Sequence, residues 1–280
     1  AAIAKHKTGT KTNMKTVIVL YIVGTISAGF VAVVGSFLFP QTLLLANSAE
    51  QVTPPDGIVS VLTTVLFNMV DNPITAISNA NFLGVLVWAI VIGVALRPAS
   101  ESTKNIVVEF SDAITMCVRW VIRFAPLGVM GLVFNSISTS GLGALKKYAS
   151  LILLLVGTMA VVDLIVNPLI VFLTARINPY PLVFKTLGRS GVTAFFTRSS
   201  AANIPVNLEL CKDLGLDNDT YPISIPLGAT INMAGAAITI AIMALAACNT
   251  MGVKVDIPSA VLLIFLTALS AAGASGVAGG

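Results

Sequence analysis

The sequence predicts an all-α protein that crosses a membrane several times and carries re-entrant helical hairpins. Of its 280 residues, 56% are hydrophobic and only 10% are charged, with a mean hydropathy of +0.94. A soluble domain has about 25% charged residues, so much of this surface must face lipid. In addition, the apolar stretches 194–205 and 228–236 are interrupted by small polar residues, which a simple membrane anchor does not need.

The first apolar segments differ in length, and only some of them can cross a bilayer alone. Residues 14–39 reach roughly 39 Å as a helix, which is enough to cross with a tilt. Residues 58–70 and 82–96 are shorter. Residues 101–138 are predicted to form one long helix that begins amphipathic and kinks at Pro126.

A second long span is predicted at 148–175, after a turn at 141–147. It contains Asp163 near its middle. We expect this carboxylate either to pair with Arg119 or Arg123 or to face a cavity, because an isolated charge is disfavoured at membrane depth.

The remaining segments are predicted to be broken or half-length helices. Residues 182–214 form two short helices around 198–203, and neither is long enough to cross, so a re-entrant hairpin fits best. Residues 221–251 have full length but are broken at 232–235. Residues 257–272 form a half-helix that leads into a glycine-rich end.

Lysine and arginine set the predicted orientation, because they are enriched in cytoplasmic loops. They place residues 1–13 and 176–190 in the cytoplasm, whereas 41–57 has no basic residue and should lie outside. The hairpin 182–214 then enters from the cytoplasm, and the hairpin that begins at 257–280 enters from outside. This opposed arrangement is typical of an inverted repeat.

The first interrupted stretch contains Arg198, Ser199, Ser200 and Asn203. An arginine at membrane depth costs at least about 2.5 kcal/mol on insertion scales, so Arg198 should line a polar cavity or meet an acid. The serines supply hydroxyls and the turn supplies free N–H groups, which suit the carboxylate of a substrate. The alternative is a cytosolic loop with apolar surroundings.

The second interrupted stretch contains Gly228, Thr230, Asn232 and Gly235. An unwound turn frees carbonyl oxygens, which are the ligands that Na⁺ prefers, and Asn232 adds a side-chain oxygen. The glycines permit unusual backbone angles. The alternative is a glycine kink that only allows close helix packing.

Several functional classes are disfavoured by composition. The three cysteines show no CxxC spacing, the only histidine is His6, and the basic residues form no patch. We therefore expect no disulfide framework, no transition metal and no nucleic-acid partner. Residues 273–276 match the GxSG motif of rhomboid intramembrane proteases, but such an enzyme needs a histidine base within the membrane.

Three motifs, at 197–205, 226–233 and 273–280, resemble those of the dicarboxylate/amino-acid:cation symporter family, and above all its bacterial serine/threonine branch. The resemblance runs through nearly the whole chain. It implies a homotrimeric elevator-type transporter, in which a transport domain moves against a scaffold. Residues 14–139 would then be scaffold helices, and 145–280 would be the transport domain.

The resemblance also implies roles for individual residues. Arg198 is a gating charge, and Tyr21 and Thr25 match positions near an inner sodium site. The expected substrate-binding residues are Ser199, Ser200, Asn203, Ala236, Val277 and Gly279. The expected sodium ligands are Gly228, Thr230, Asn232, Ala271, Ala272 and Ala274.

Three departures from the family pattern matter for selectivity. Members that carry acidic substrates have Asp in place of Ala234 and Thr in place of Gly24, and both positions are near the inner sodium site. They also have Thr in place of Ala236, near the second carboxylate of the substrate. The first two put the inner sodium site in question, and the third disfavours an acidic substrate.

Taken together, these features predict a non-enzymatic importer of small neutral amino acids, serine and threonine above all. It would use Na⁺ as its coupling ion, need no cofactor, and lie among the lipids of a bacterial inner membrane. The alternatives are another amino-acid or dicarboxylate carrier of this fold, an anion channel with the same architecture, and a rhomboid-like protease. The chain is expected to be a fragment of the full transporter.

Overall fold

The computed structural model describes residues 13–43, 58–79, 81–124 and 143–273, with isolated positions between 126 and 138. All regular secondary structure in this part of the chain is helical. Among the described residues, three helical stretches are long and apolar enough to cross a membrane: Met14–Leu38, Tyr148–Ala175 and Tyr221–Thr250. The prediction of an all-α, multi-span membrane protein is confirmed.

The N-terminal half closely follows the apolar segments of the sequence. Its helices are α1 (Met14–Leu38), α2 (Ile58–Met69), α3 (Pro73–Ser78), α4 (Phe82–Ala95) and α5 (Glu101–Arg123).

The helix predicted over 101–138 is not a single one: α5 ends at Arg123, and helix is described again at residues 126–128. The backbone at Phe124 forms a turn instead. Pro126 has no N–H to donate to the carbonyl of Ile122, so the helical hydrogen-bond ladder cannot continue unbroken past this point.

The C-terminal half contains α6 (Gly143–Val161), a π-helical turn (Val162–Val166), α7 (Asn167–Ala175), α8 (Tyr180–Thr186), a second π-helical turn (Leu187–Gly191), α9 (Val192–Thr197), α10 (Ile204–Asp213), α11 (Tyr221–Ile231), α12 (Ala234–Thr250) and α13 (Ile257–Ala272). The turn predicted at 141–147 is wrong from Gly143 onwards, because alanine, leucine and lysine there favour helix. The later helix break covers only residues 232–233, less than predicted.

The buried core lies where α1 packs against α6, α12 and α13. Ala28 and Ala32 on α1 are fully buried, and a Cβ on Gly29 would lie 3.0 Å from Oγ1 of Thr267. Small residues of this kind let two helices approach closely within a membrane. Thus α1 shares one core with helices of the predicted transport domain. The boundary between the scaffold, 14–139, and the transport domain, 145–280, stays a prediction.

The directions of the helices follow from contacts at the two ends of α1. Near its start, the hydroxyl of Tyr21 donates to the carbonyl of Ser224, and beyond its end the amide of Asn249 donates to the carbonyl of Gln41. Therefore α1 runs parallel to α11 and α12. The hydroxyl of Ser150 donates to Oε1 of Gln41, so α6 runs in the opposite direction.

Candidate functional site

The first candidate segment is a pair of helical arms joined by a polar turn. The first arm comprises α8, the second π-helical turn and α9, and the second arm is α10. At the rise of an α-helix these arms are about 27 and 15 Å long, so α10 cannot cross a bilayer alone. The structure therefore has the two short helices that the sequence predicts around 198–203.

Arg198 ends the first arm in a left-handed backbone conformation, with φ of 50°. Its N–H donates to the carbonyl of Ala194 at 2.8 Å, which closes the last turn of α9. A non-glycine residue in this conformation costs on the order of 1–3 kcal/mol. The Arg198 side chain is exposed and forms no ion pair within the described residues, so it adds an uncompensated positive charge at the turn.

Asn203 connects the turn to the first arm. Its side-chain amide donates to the hydroxyl of Ser190 at 2.6 Å, and its backbone N–H donates to the carbonyl of Ser199 at 3.2 Å. Asn203 is 4% exposed, and its Oδ1 atom accepts no hydrogen bond from the described residues. The contacts of this amide are thus within the hairpin, with one acceptor left open.

The two serines of the turn face different surroundings. Ser199 is buried, and its hydroxyl accepts a hydrogen bond from the N–H of Ala202 at 3.2 Å, whereas Ser200 is exposed. Ser200 therefore offers the more accessible hydroxyl of the pair.

A second connection between the arms was not predicted. The guanidinium of Arg189 pairs with the carboxylate of Asp213, and both side chains are about half exposed. Ser190 and Arg189 both lie in the second π-helical turn. Sequence periodicity assumes regular helix, so it could not indicate which side chains this turn directs toward α10.

The second candidate segment is the break between α11 and α12. Asn232 and Met233 have φ/ψ values of −99°/74° and −110°/61°, which are not helical. The N–H of Asn232 donates to the carbonyl of Gly228 at 2.9 Å. The exposed Thr230 donates its hydroxyl to the backbone carbonyl of Leu227 at 2.7 Å. Because the helix stops here, carbonyls of the last turn lose their intrahelical partners.

Three oxygen atoms from α1 and the break converge at this point. Oγ1 of Thr25 lies 2.9 Å from the carbonyl oxygen of Tyr21 and 3.3 Å from Oδ1 of Asn232. A threonine hydroxyl has one proton, so it can donate to only one of these acceptors at a time. Oxygens gathered at an unwound helix provide the kind of ligand set that binds Na⁺.

Gly228 is required where α1 meets the break. A Cβ at this position would lie 2.7 Å from the hydroxyl oxygen of Tyr21 and 2.9 Å from its Cζ atom. The same hydroxyl donates to the backbone carbonyl of Ser224 at 3.0 Å. Sequence reasoning missed Ser224, because a backbone acceptor leaves no signal in the side chains.

Two of the three departures from the family pattern, Gly24 and Ala234, lie near the helix break. A Cβ on Gly24 would lie 3.9 Å from Oδ1 of Asn232, so Gly24 leaves room next to this amide. Ala234, at the start of α12, puts a methyl group near the break where acidic-substrate members have a carboxylate.

The other predicted site residues lie on α12 and at the end of α13. Ala236 is partly buried in the first turn of α12, Ala271 is fully buried, and Ala272 is partly buried at the end of α13. Three predicted site residues lie outside the described residues: Ala274, Val277 and Gly279.

The comparison with known protein families decides the class of this protein. The family model described as the sodium:dicarboxylate symporter family matches residues 1–280. The chain belongs to this family. The symporter is therefore a secondary transporter and not an enzyme, so the protease alternative is wrong. Its family uses Na⁺ as the coupling ion, has no cofactor, and carries dicarboxylates or amino acids.

One polar residue of the symporter lies apart from both candidate segments. Asp163 is exposed in the first π-helical turn, and its Oδ1 accepts a hydrogen bond from the amide of Asn167 at 3.2 Å. An ion pair with Arg123, one of the two arrangements expected from the sequence, is absent from the described residues. The Arg119 side chain lies outside the described residues.

Proposed function

We propose that this symporter imports small neutral amino acids, L-serine and L-threonine above all, together with Na⁺. The observation that carries the proposal is the convergence of Tyr21, Thr25 and Asn232 oxygens at the helix break. Ala234 adds no carboxylate here, which is the departure that put the inner sodium site in question, but the three converging groups still supply uncharged oxygen ligands. A sodium ion there would be held by carbonyl, hydroxyl and amide oxygens. Gly228, whose carbonyl lies within the same turn, is a further ligand in this proposal.

The polar turn of the hairpin supports a site for the substrate carboxylate. The Ser200 hydroxyl is exposed, the Ser199 hydroxyl lies next to it, and Arg198 adds a positive charge. Asn203 has one open acceptor, Oδ1, which could receive a hydrogen bond from the substrate.

Ala236 supports a neutral side chain on the substrate. This residue is partly buried and has no hydroxyl to offer a second carboxylate. Burying an unpaired carboxylate costs several kcal/mol, whereas the serine hydroxyl needs only one hydrogen-bond partner. We therefore place the boundary between neutral and acidic substrates at this position.

Coupling requires that Na⁺ and substrate together favour one state of the carrier through differential affinity. We propose that the second hairpin, which begins with α13, closes over the bound substrate. Val277 and Gly279 would contact the substrate there. A second Na⁺ would bind at the end of α13, with the ligands Thr230, Ala271, Ala272 and Ala274.

The proposed assembly is a homotrimer in a bacterial inner membrane, with residues 1–13 and 176–190 in the cytoplasm. The sequence-based division places α1 among the scaffold helices of 14–139, but the core that α1 shares with α12 supports adding α1 to the moving part. Each protomer would then work as an elevator, in which α1 and 145–280 move against the other helices of 14–139.

Uptake into proteoliposomes tests this function. The protein is reconstituted, and radiolabelled L-serine and L-aspartate are supplied in parallel, with an inward gradient of Na⁺ or of K⁺. We expect serine uptake only with the inward Na⁺ gradient, and little uptake of aspartate with either gradient. Equal serine uptake in both salts would exclude sodium coupling. A preference for aspartate would replace this proposal with a dicarboxylate carrier, and substrate-gated current without sodium-dependent uptake would indicate an anion channel.

A further inference from the structure

Asp163 lies halfway along a membrane span, away from both candidate segments. Within the span Tyr148–Ala175, the helical rise places it about 22 Å from Tyr148 and about 18 Å from Ala175. Its side chain is exposed on the surface of these helices. Hydrocarbon is the medium at this depth, and an ionised carboxylate is disfavoured there unless a cation or water accompanies it.

The helix around Asp163 is irregular and locally polar. The N–H of Asn167 donates to the carbonyl of Val162, which makes this turn π-helical and wider than an α-helical one. The side-chain amide of Asn167 donates to Oδ1 of Asp163 at 3.2 Å. The carboxyl group is therefore held by a neutral amide that can both donate and accept hydrogen bonds.

A groove connects this part of the span to the loop before the hairpin. Pro168 has no N–H for the carbonyl of Leu164, and the hydroxyl of Tyr180 donates to that carbonyl at 3.4 Å. The groove has a volume of about 430 Å³ and begins at the loop, which is predicted to be cytoplasmic; its lining residues are Ile165, Pro168, Leu169, Phe172, Asn178, Pro179 and Tyr180. Pro168, which directly follows Asn167, and Ile165, two positions after Asp163, both line this groove.

No cation balances Asp163 within the described residues. The π-helical turn packs against α1, α6 and α7. The titratable side chains on these helices and in the adjoining loop are Lys15 and Tyr21 on α1, Tyr148 on α6, Arg176 after α7, and Tyr180. Lys146 and Lys147 lie near the start of α6, and the rise of the helix places Lys147 about 24 Å from Asp163.

We propose that Asp163 and Asn167 form a proton-binding site at the middle of the membrane, reached through the groove at Tyr180. The carboxylate takes a proton from a hydronium ion in the groove and leaves a water molecule. The neutral acid can then donate to the Asn167 carbonyl while accepting from its amide. Both groups are satisfied without charge, as the surrounding lipid requires.

Carbodiimide labelling of the unmodified protein tests the protonation state directly. A hydrophobic carbodiimide adds to a protonated carboxyl group and leaves an acylurea that mass spectrometry can locate. The control is Asp217 in the loop before α11, where the Thr220 hydroxyl and the Asp219 N–H lower the pKa and keep the carboxylate ionised at neutral pH. We expect labelling at Asp163 and none at Asp217 at pH 7. An unlabelled Asp163 under these conditions would overturn the proposal.

Infrared difference spectra of the lipid-reconstituted protein provide a second, independent readout. The carbonyl-stretch band of a protonated carboxylic acid should be present at pH 7, be lost in Asp163→Asn, and remain in Asp217→Asn. Asn167→Leu should move this band to higher frequency, because one hydrogen bond to the acid is lost. A band that Asp163→Asn leaves unchanged, or that Asn167→Leu does not shift, contradicts the site. Neither experiment involves transport, so both stand apart from the proposed substrate and coupling.

Discussion

The hydroxyl of Thr25 lies 3.3 Å from Oδ1 of Asn232, although 207 positions separate these residues in the chain. The contact exists because α1 runs parallel to α11 and passes the point where α11 stops. It also places the carbonyl of Tyr21, 2.9 Å from the same hydroxyl, next to the break. The proposed sodium site is therefore assembled by packing between distant helices.

Removing the side-chain oxygen of Asn232 should weaken sodium binding. Asn232→Ala keeps the helix break but deletes Oδ1, and hydrogen-bond or ligand contacts to a charged partner are worth about 1.5–3 kcal/mol. We expect the apparent Na⁺ affinity to fall at least about tenfold. Serine affinity should fall with it by linkage. Sodium titration of serine binding to the purified protein measures both, and an unchanged Na⁺ affinity would show that Asn232 is not a ligand.

The matched variants for this experiment are on α1. Thr25→Val removes the hydroxyl with little change of volume, whereas Thr25→Ser retains it. If Oγ1 of Thr25 contributes to the site, Thr25→Val should weaken Na⁺ binding and Thr25→Ser should not. Equal effects of the two variants would assign Thr25 to packing alone.

Gly228→Ala should destabilise the protein through Tyr21. The added Cβ would lie 2.7 Å from the tyrosine hydroxyl oxygen, and overpacking of this kind costs about 1–3 kcal/mol. Tyr21→Phe removes the nearest atom but leaves Cζ at 2.9 Å, so it should rescue the variant only in part. The double variant is compared with the single ones by thermal denaturation in detergent. Gly157→Ala is the control, because nothing lies within 4 Å of its added Cβ.

The sequence predicted helices and breaks well where apolar length and polar interruptions decide them. The last helix, predicted at 257–272, is observed with those bounds, and the break at Asn232 is present. The irregular turns were not predicted. The π-helical turns at Val162–Val166 and Leu187–Gly191 shift which side chains share a face, and residue spacing contains no information about this shift.

The candidate site was predictable only in part, for a similar physical reason. The sequence identified Asn232 and the polar turn because polar residues stand out in an apolar span. It could not identify Ser190 as the partner of Asn203, or the backbone of Ser224 as the acceptor for Tyr21. Those contacts depend on how separate helices approach each other.

Asn203 should contribute to stability as well as to any substrate contact. Its amide donates to the Ser190 hydroxyl at 2.6 Å, and this contact joins the first arm of the hairpin to the residue that precedes the second arm. We expect Asn203→Ala and Ser190→Ala each to lower the free energy of unfolding by about 1–2 kcal/mol, and the double variant to lose less than the sum. Ser200→Ala is the control, because its side chain is exposed. Additive losses would show that the two residues do not interact.

Selectivity for a neutral substrate should depend on Ala236. This residue leaves no hydroxyl where acidic-substrate members of the family hold a second carboxylate, so aspartate and glutamate should compete poorly with labelled serine. Threonine should compete well and alanine in part, because alanine lacks the hydroxyl.

The variant Ala236→Thr adds a hydroxyl but no positive charge. A neutral hydrogen bond contributes only about 0.5–1.5 kcal/mol, whereas burying an unpaired carboxylate costs several kcal/mol. Aspartate should therefore compete only slightly better in this variant. Competition for radiolabelled serine uptake in proteoliposomes decides the point. If unlabelled aspartate inhibits as well as threonine does, the pocket accepts a dicarboxylate, and the neutral-substrate proposal is wrong.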